Sequence, residues 1–384
     1  MQSNKKQKIC IAFSSDLSLQ GGAQARVRAM VTGLRKNGFD VSLVIPTPKM
    51  KLPNELHEIN IHTVPIAQKR SLISRIYTTA LIVHKAKKVK KHTGAILQFE
   101  HYILLGIYAT LTGSSGFVLD MHDLGFDSEF SKNLPLHKQS QKVLYHFEKL
   151  VAKRAHKIIV VSNSMKDFIA KEWNIPEKKI FVIPNGYFES KLKVVHNIEG
   201  GDGVVSFIGT LHPKLDIDKF IGVGKLLKSL NGFLYIIGDG PLRNLIDQTI
   251  KQNNLMENII LTGQISDIEA YNILAKSQVT IFPLKTSRSV NTKSMSPVKI
   301  FDYGGLGKAM VLDDISEVCK IFKKNDAALV SDPENHDEFI ENVRILLEDK
   351  KLREELGRNA KELVKDFTWE KQAEKLVEIY NGMV

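Results

Sequence analysis

Along the first 190 residues, short apolar runs alternate with longer stretches in which apolar positions recur every three to four residues. "KICIAFSS" reads as a buried strand. After a Gly21-Gly22 turn, "AQARVRAMVTGLRKNG" sets Val27, Met30, Val31 and Leu34 at helical spacing before Gly38 closes the helix. "DVSLVIP" is a second strand, which completes a strand-helix-strand unit, the building block of a parallel sheet. "GAILQF", "GFVLDMH", "HKIIVVS" and "KIFVIPNG" predict further strands. Periodicity is lost in "YFESKLKVVHNIEGGDG", residues 187–203, which predicts a linker. The pattern then restarts with "VVSFIGT" as strand, "DKFIGVGKLLKSL" as helix and "GFLYIIGDG" as strand. "GPLRNLIDQTIKQNN" follows as a helix with Pro241 near its first turn, where a missing N–H costs least. "NIILTG", "QVTIFP", "KAMVL" and "AALVS" supply more strands, and Ser266 and Glu269 have the spacing of a capping box. The fold class is therefore α/β, with two consecutive Rossmann-like domains.

Length agrees, because 384 residues exceed what a single core usually organises. No apolar run approaches the roughly 18–20 residues of a spanning helix, and "MQSNKKQKICIAF" lacks a signal-peptide pattern, so a cytoplasmic location is expected. Cys10 and Cys319 lie in opposite halves and cannot form a metal cluster by themselves.

The net charge of +12 is unevenly placed: residues 1–190 carry 28 Lys and Arg against 14 Asp and Glu, residues 191–384 carry 26 against 28. Much of the excess lies in "QKRSLISRIYTTALIVHKAKKVKKH", residues 68–92, where Leu72, Ile73, Ile76, Leu81, Ile82 and Val89 alternate with basic residues. Two readings stand for it, a solvated helix with a basic outer face and a surface that meets anionic lipid head groups. Nucleic acid ranks behind both, since the segment has one aromatic residue, Tyr77, and no nucleic-acid motif accompanies it.

In open parallel sheets ligands bind beyond the carboxyl ends of the strands. The residues there include "GGAQ" at 21–24, "MHDLGFD" at 121–127, "GTLHPK" at 209–214, "GDGP" at 238–241, "GQIS" at 263–266 and "SMSPVK" at 294–299. Several are glycine turns that lead into helices, whose first N–H groups suit a phosphate. "GGAQAR" does not fit G-x-G-x-x-G, and the chain has no P-loop, G-x-S-x-G or H-E-x-x-H pattern, which argues against hydride transfer, P-loop phosphoryl transfer, serine hydrolysis and zinc proteolysis. "DID" at 216–218 opens a helix pattern and reads as a cap rather than a metal-binding D-x-D. In "SMSPVKIFDYGGLGKAMV" a helix with Val298, Ile300, Phe301 and Leu306 carries one acid, Asp302. That acid sits either on an exposed face or against a ligand hydroxyl. Gly304, Gly305 and Gly307 are expected to turn the chain into the next strand.

Taken in order, "GGAQARV", "LDMHDL", "KIIVVSNSMKDF", "KKIFVIPNG", "FIGTLHP", "LYIIGDGP", "ILTGQIS" and "SPVKIFDYGGLGKAMV" resemble the retaining glycosyltransferases of family 4 over almost the whole chain. The resemblance implies the GT-B fold. The N-terminal acceptor-side domain would span 1–188, the C-terminal donor domain 204–367, and the last helix, 368–384, would pack back on the first domain. It implies a nucleotide-sugar-dependent, metal-independent transferase of class EC 2.4, acting in glycan biosynthesis with retention of configuration. The donor would be a UDP- or GDP-sugar held mainly by the second domain, the acceptor a glycan or lipid-linked hydroxyl bound mainly by the first, and no separate cofactor is implied.

By residue, the resemblance makes Asp302 the counterpart of the family's glutamate that binds the donor ribose, and His122 the active-site histidine near the transferred sugar. Ser296, Pro297, Val298 and Lys299 would meet the diphosphate, Gly21 and Gly22 would approach it from the first domain, and Gly209, Thr210, Lys214, Gly238 and Ile265 would complete the donor site. A structural turn is the competing reading for His122. The chain also departs from the pattern. Ser294 stands where the first glutamate of the family's E-x7-E pair is expected, and Thr210 and Leu215 where its phosphate-binding arginine and lysine fall. Lys214, His212, Lys293 and Lys299 are the candidates for the missing charge, with Lys299 first because it starts the Asp302 helix. These losses keep two alternatives open, a non-catalytic GT-B partner subunit and a sugar-nucleotide epimerase.

Overall fold

The computed structural model describes residues 7–66, 72–100, 103–113, 116–128, 131, 136–192 and 201–383. Residues 68–71 of the basic segment and 193–200 of the expected linker lie outside the described residues. The chain divides into two compact units. Unit 1 comprises Met1–Asn185, Ser289–Ser296 and Trp369–Val384, and unit 2 comprises Gly186–Arg288 and Pro297–Thr368.

Unit 1 is built on β1 (Lys8–Ala12), β2 (Asp40–Pro46), β3 (Asn60–Val64), β4 (Ile96–Glu100), β5 (Val118–Met121), β6 (Lys157–Val160) and β7 (Ile180–Val182). They form a parallel sheet in the order β3-β2-β1-β4-β5-β6-β7. Parallel neighbours need crossovers. These include α1 (Gly22–Lys36), α2 (Leu72–Thr93), α3 (Ile103–Leu111), α4 (His137–Arg154) and α5 (Asn163–Trp173). The central strands are near-continuous apolar runs because helices cover both faces, and Cys10, Leu97, Phe99, Leu119, Ile158 and Val160 share one buried cluster. β3, "NIHTV", is an edge strand that the apolar pattern does not announce, since most of it is exposed or only half-buried.

Unit 2 starts with α6 (Glu189–Leu192) and carries β8 (Val204–Ile208), α7 (Ile217–Ser229), β9 (Phe233–Ile237), α8 (Arg243–Gln252), β10 (Ile259–Gly263), α9 (Asp267–Lys276) and β11 (Val279–Phe282). The short helix α10 (Val290–Ser294) belongs to unit 1, although the sequence places it within the second domain. The reason is polar. Asn291 donates to Leu124 O and accepts from Leu124 N, and Asp127 accepts from Ser289 and from the Asn291 N–H. Unit 2 resumes with α11 (Val298–Gly305), β12 (Ala309–Asp313), α12 (Glu317–Lys324), β13 (Leu329–Ser331), α13 (His336–Glu348) and α14 (Lys350–Leu363). Its parallel sheet runs β10-β9-β8-β11-β12-β13. The last helix, α15 (Trp369–Asn381), packs on α1 in unit 1, where Tyr380 meets Phe39 with ring centroids 6.1 Å apart.

Local sequence signals hold where they were specific. Ser266 and Glu269 form the capping box at the start of α9, and Asp216 caps α7 by accepting from the N–H groups of Asp218 and Lys219. Helix α8 begins at Arg243, so Pro241 lies just outside it. Gly304 and Gly305 do not turn the chain, as the sequence suggested, but sit inside α11. A Cβ at Gly304 would lie 2.6 Å from Val364 Cγ1, and one at Gly305 2.4 Å from Leu192 Cδ1, so close packing is what demands glycine there. Gly307, at φ +67°, makes the turn. No helix among the described residues is long and apolar enough to cross a membrane.

Candidate active site

In unit 2 the expected donor residues gather around α11. Tyr303 is fully buried, and its hydroxyl accepts from the N–H of Ile208 at the end of β8. Phe301 stacks on Phe367 at 4.9 Å. Those two anchors fix the roll of a helix only eight residues long. They place Lys299 over the β8 terminus, its Nζ 4.5 Å from the Phe207 ring centroid and 4.7 Å from that of Phe282. Burial pushes its amine down to about 7. The two ring faces act in the opposite direction, because each attracts a cation.

Gly209 lies directly under this amine. A Cβ there would come within 2.5 Å of Lys299 Nζ, and its φ of +140° is one that L side chains rarely adopt. A Cβ on Gly238 would likewise strike Gly209 O at 2.2 Å. The structure therefore brings Gly209, Gly238 and Lys299 together, with exposed Thr210 beside them. Pro297 is the N-cap of α11, with no side-chain cap and no acid in the first turn, so the N–H groups of Val298 and Lys299 open the helix beside that amine.

Asp302 is one turn further on and only 8% exposed. Its Oδ1 accepts from the Tyr271 hydroxyl of α9 at 3.2 Å. Burial raises its carboxyl to about 7, against the opposing pull of that bond and of the Lys191 charge. Of the two readings of Asp302, the exposed face is excluded. Half-buried Lys214 and Ile265 follow β8 and β10. Leu215 is 2% exposed and paired with Leu284, so a core position stands where the family's phosphate-binding lysine falls.

In unit 1, Gly21 is the N-cap of α1 and Gly22 its first residue; the first turn carries no acid and no side-chain cap. Ser296 has both of its oxygens engaged by Asn185, the hydroxyl by the backbone N–H at 3.0 Å and the carbonyl by Nδ2 at 2.7 Å. Ser294 is fully buried, and its hydroxyl has no partner among the described residues. His122 follows β5 on a side chain that is 16% exposed, and its Nε2 lies 2.9 Å from Glu100 Oε2 and 3.8 Å from Asp120 Oδ1. Arg26 from α1 grips both oxygens of Asp120, at 3.0 and 3.1 Å, and donates to Ile183 O, Pro184 O and Asn185 Oδ1. Glu100, Asp120 and His122 are close enough to share a cation, but the guanidinium already brings that positive charge to Asp120.

Sequence reasoning missed Tyr271, Tyr303, Arg26 and Glu100. Two signals were available: Tyr303 adjoins Asp302, and Arg26 is a charged residue on the apolar stripe of α1.

Residues 20–188 match the profile of Glycosyltransferase Family 4, and residues 188–363 that of Glycosyl transferases group 1. The chain belongs to glycosyltransferase family 4. This family 4 enzyme is a nucleotide-sugar-dependent retaining transferase with the GT-B fold. It is 27% identical to an uncharacterised glycosyltransferase of Methanocaldococcus jannaschii, with 94% of this chain and 95% of that one covered. It is 23% identical to the UDP-Gal:alpha-D-GlcNAc-diphosphoundecaprenol alpha-1,3-galactosyltransferase of Escherichia coli, over 98% of each chain. Among solved structures it resembles sucrose-phosphate synthase of Thermosynechococcus elongatus, with a TM-score of 0.76 at 16% identity, covering 98% and 99% of the two chains.

Proposed function

We propose that the transferase takes a UDP-sugar and delivers the sugar to a hydroxyl of a lipid-linked glycan. The observation that carries this reading is the Gly209–Lys299–Asp302 arrangement of unit 2. A backbone stripped of side chains and a half-buried amine suit a diphosphate, and a carboxylate one helical turn away suits a ribose diol. Lys299 takes over the role vacated at Thr210 and Leu215. The choice of UDP and of a lipid-linked acceptor rests on the Escherichia coli relative. In the transfer, the C1–oxygen bond to the diphosphate breaks while the acceptor oxygen bonds C1 on the same face, and the acceptor's proton passes to the departing phosphate. His122 of unit 1 is read as the sugar-side histidine.

Thermal unfolding with UDP, GDP and ADP tests the donor. UDP is expected to raise the midpoint, by an amount equivalent to about 2.7 kcal/mol at 100 times its dissociation constant. Asp302→Ala is expected to abolish the shift. Equal shifts with all three nucleotides, or a shift that survives Asp302→Ala, would reject the assignment.

The acceptor reading adds a membrane surface on unit 1. The N-terminal half of α2 exposes Ile73, Ile76 and Tyr77, whereas its later Ile82, Val83 and Ala86 are buried. Helix α4 exposes Val143, Phe147 and Leu150 beside Lys138, Lys142 and Lys153, and its one acid, Glu148, is buried as the acceptor for the N–H groups of Gly125 and Phe126. Apolar residues flanked by basic ones, with no exposed acid on either helix, fit an anionic bilayer. Vesicles containing phosphatidylglycerol are expected to bind the protein and pure phosphatidylcholine vesicles to leave it free, with Ile73→Ser/Ile76→Ser weakening the first. Equal binding to both would remove the proposal.

A further inference from the structure

A chain of polar side chains runs through the interior of unit 1 to His122. The Tyr380 hydroxyl of α15 donates to Gln98 Oε1, Gln98 Nε2 donates to Glu100 Oε1 at 2.5 Å, and Glu100 Oε2 meets His122 Nε2 at 2.9 Å. Tyr380, Gln98 and Glu100 are all buried. Such a network is costly in an apolar core unless every member is satisfied, and here each link fixes the next. Burial, with the Glu100 and Asp120 charges nearby, holds the Tyr380 phenol well above its ordinary range, so it stays a donor. Gln98 must then present oxygen to Tyr380 and nitrogen to Glu100. Oε1 of Glu100 can only accept, which leaves Oε2 to deal with the imidazole.

We propose that Glu100 is a positioning residue that holds the Nε2–H tautomer of His122, so that Nδ1 is the ring atom a sugar hydroxyl meets, and that Gln98 and Tyr380 fix Glu100 for this task. The inference rests on the reading of His122 as the sugar-side histidine. It adds that the last helix of the chain, through Tyr380, sets the state of a ring at the end of β5. Among the described residues, Glu100 on β4 feels Asp120 on β5, His122 and Arg26 on α1, and Tyr380 on α15 feels Glu100, Asp120 and Cys10 of β1. Arg26 neutralises Asp120, so Glu100 is the partner left to the imidazole. Burial and the Asp120 charge raise the Glu100 carboxyl, while its bond to His122 pulls it back. With Glu100 Oε2 accepting, the proton stays on Nε2 and Nδ1 is left as the acceptor.

The test is nitrogen-15 NMR of the histidine-labelled full chain at pH 7.5, with His122 identified by its loss in His122→Gln. The wild type is expected to show one His122 tautomer, with Nε2 protonated. Glu100→Gln is expected to give a mixture of tautomers or the reverse one. Tyr380→Phe, which removes one hydroxyl and no volume, is expected to move the His122 nitrogen signals without unfolding the chain, and it serves where Glu100→Gln does not fold. A purely structural role would lower the unfolding midpoint and leave the His122 signals in place. Unchanged signals in a folded variant of either kind overturn the proposal. UDP-induced midpoint shifts, read in parallel, report on unit 2. Loss of those shifts would count against the donor assignment, and the tautomer result would stand apart from it.

Discussion

UDP affinity is expected to peak near pH 7 and to fall on both sides of it. Ribose hydroxyls need the Asp302 carboxylate, and the diphosphate needs the Lys299 ammonium, yet burial brings both groups to about 7 from opposite directions. Below that pH Asp302 is protonated and loses acceptor capacity. Above it Lys299 is neutral and loses its charge. A hydrogen bond to a charged group contributes about 1.5–3 kcal/mol, so each limb is expected to span roughly 10- to 100-fold in dissociation constant. Asp302→Asn should remove the acid limb and Lys299→Met the alkaline one, each with a loss of that size at pH 7. Titration calorimetry in two buffers of different ionisation enthalpy provides the check. At pH 8 binding should take up a proton, because the diphosphate draws one onto Lys299, and at pH 6 it should release one from Asp302. A flat profile would show that neither group meets the nucleotide. Linkage also works on folding. The Asp302 carboxyl is raised in the folded state, so its contribution to stability is full below the ordinary carboxylate range and is lost as pH climbs to about 7.

The largest effect on stability is expected from Arg26→Met. Arg26 and Asp120 are each 1% exposed in the side chain, and removing one partner of a buried pair leaves the other charge stranded, at about 3–5 kcal/mol. The stranded carboxylate would also face Glu100, which already feels its charge. Urea unfolding should show the loss in unit 1. Adding Asp120→Asn should recover much of it, because the isolated charge is then gone. A loss below about 1 kcal/mol for Arg26→Met would mean that water reaches the pair.

The sequence disclosed what depends on local pattern and hid what depends on partners. Apolar runs found β1, β2 and the central strands of both sheets because those strands are buried on two faces. β3 escaped because an edge strand of mixed polarity carries no such run. The capping signals at Ser266 and Asp216 were readable because a cap is satisfied within four residues. Gly304 and Gly305 were misread as a turn. Their need for a bare Cα comes from Val364 and Leu192, dozens of residues away. The candidate site follows the same rule. Asp302, Lys299 and His122 stood in short motifs, whereas Tyr271 is identified by a bond across 31 positions, Arg26 by one across 94 and Tyr380 by one across 282.

Helix α15 has a consequence for biosynthesis. Unit 1 is synthesised first as far as Asn185, but its sheet-covering layer is complete only when Trp369–Val384 has been translated. At roughly 5–20 residues per second, the ribosome takes about 10–40 s to cover the intervening chain. Throughout that interval the apolar stripe of α1 and the amide of Gln98 lack their native cover. The nascent unit is then a substrate for holding chaperones, and native unit 1 forms only after the whole of unit 2 has been translated.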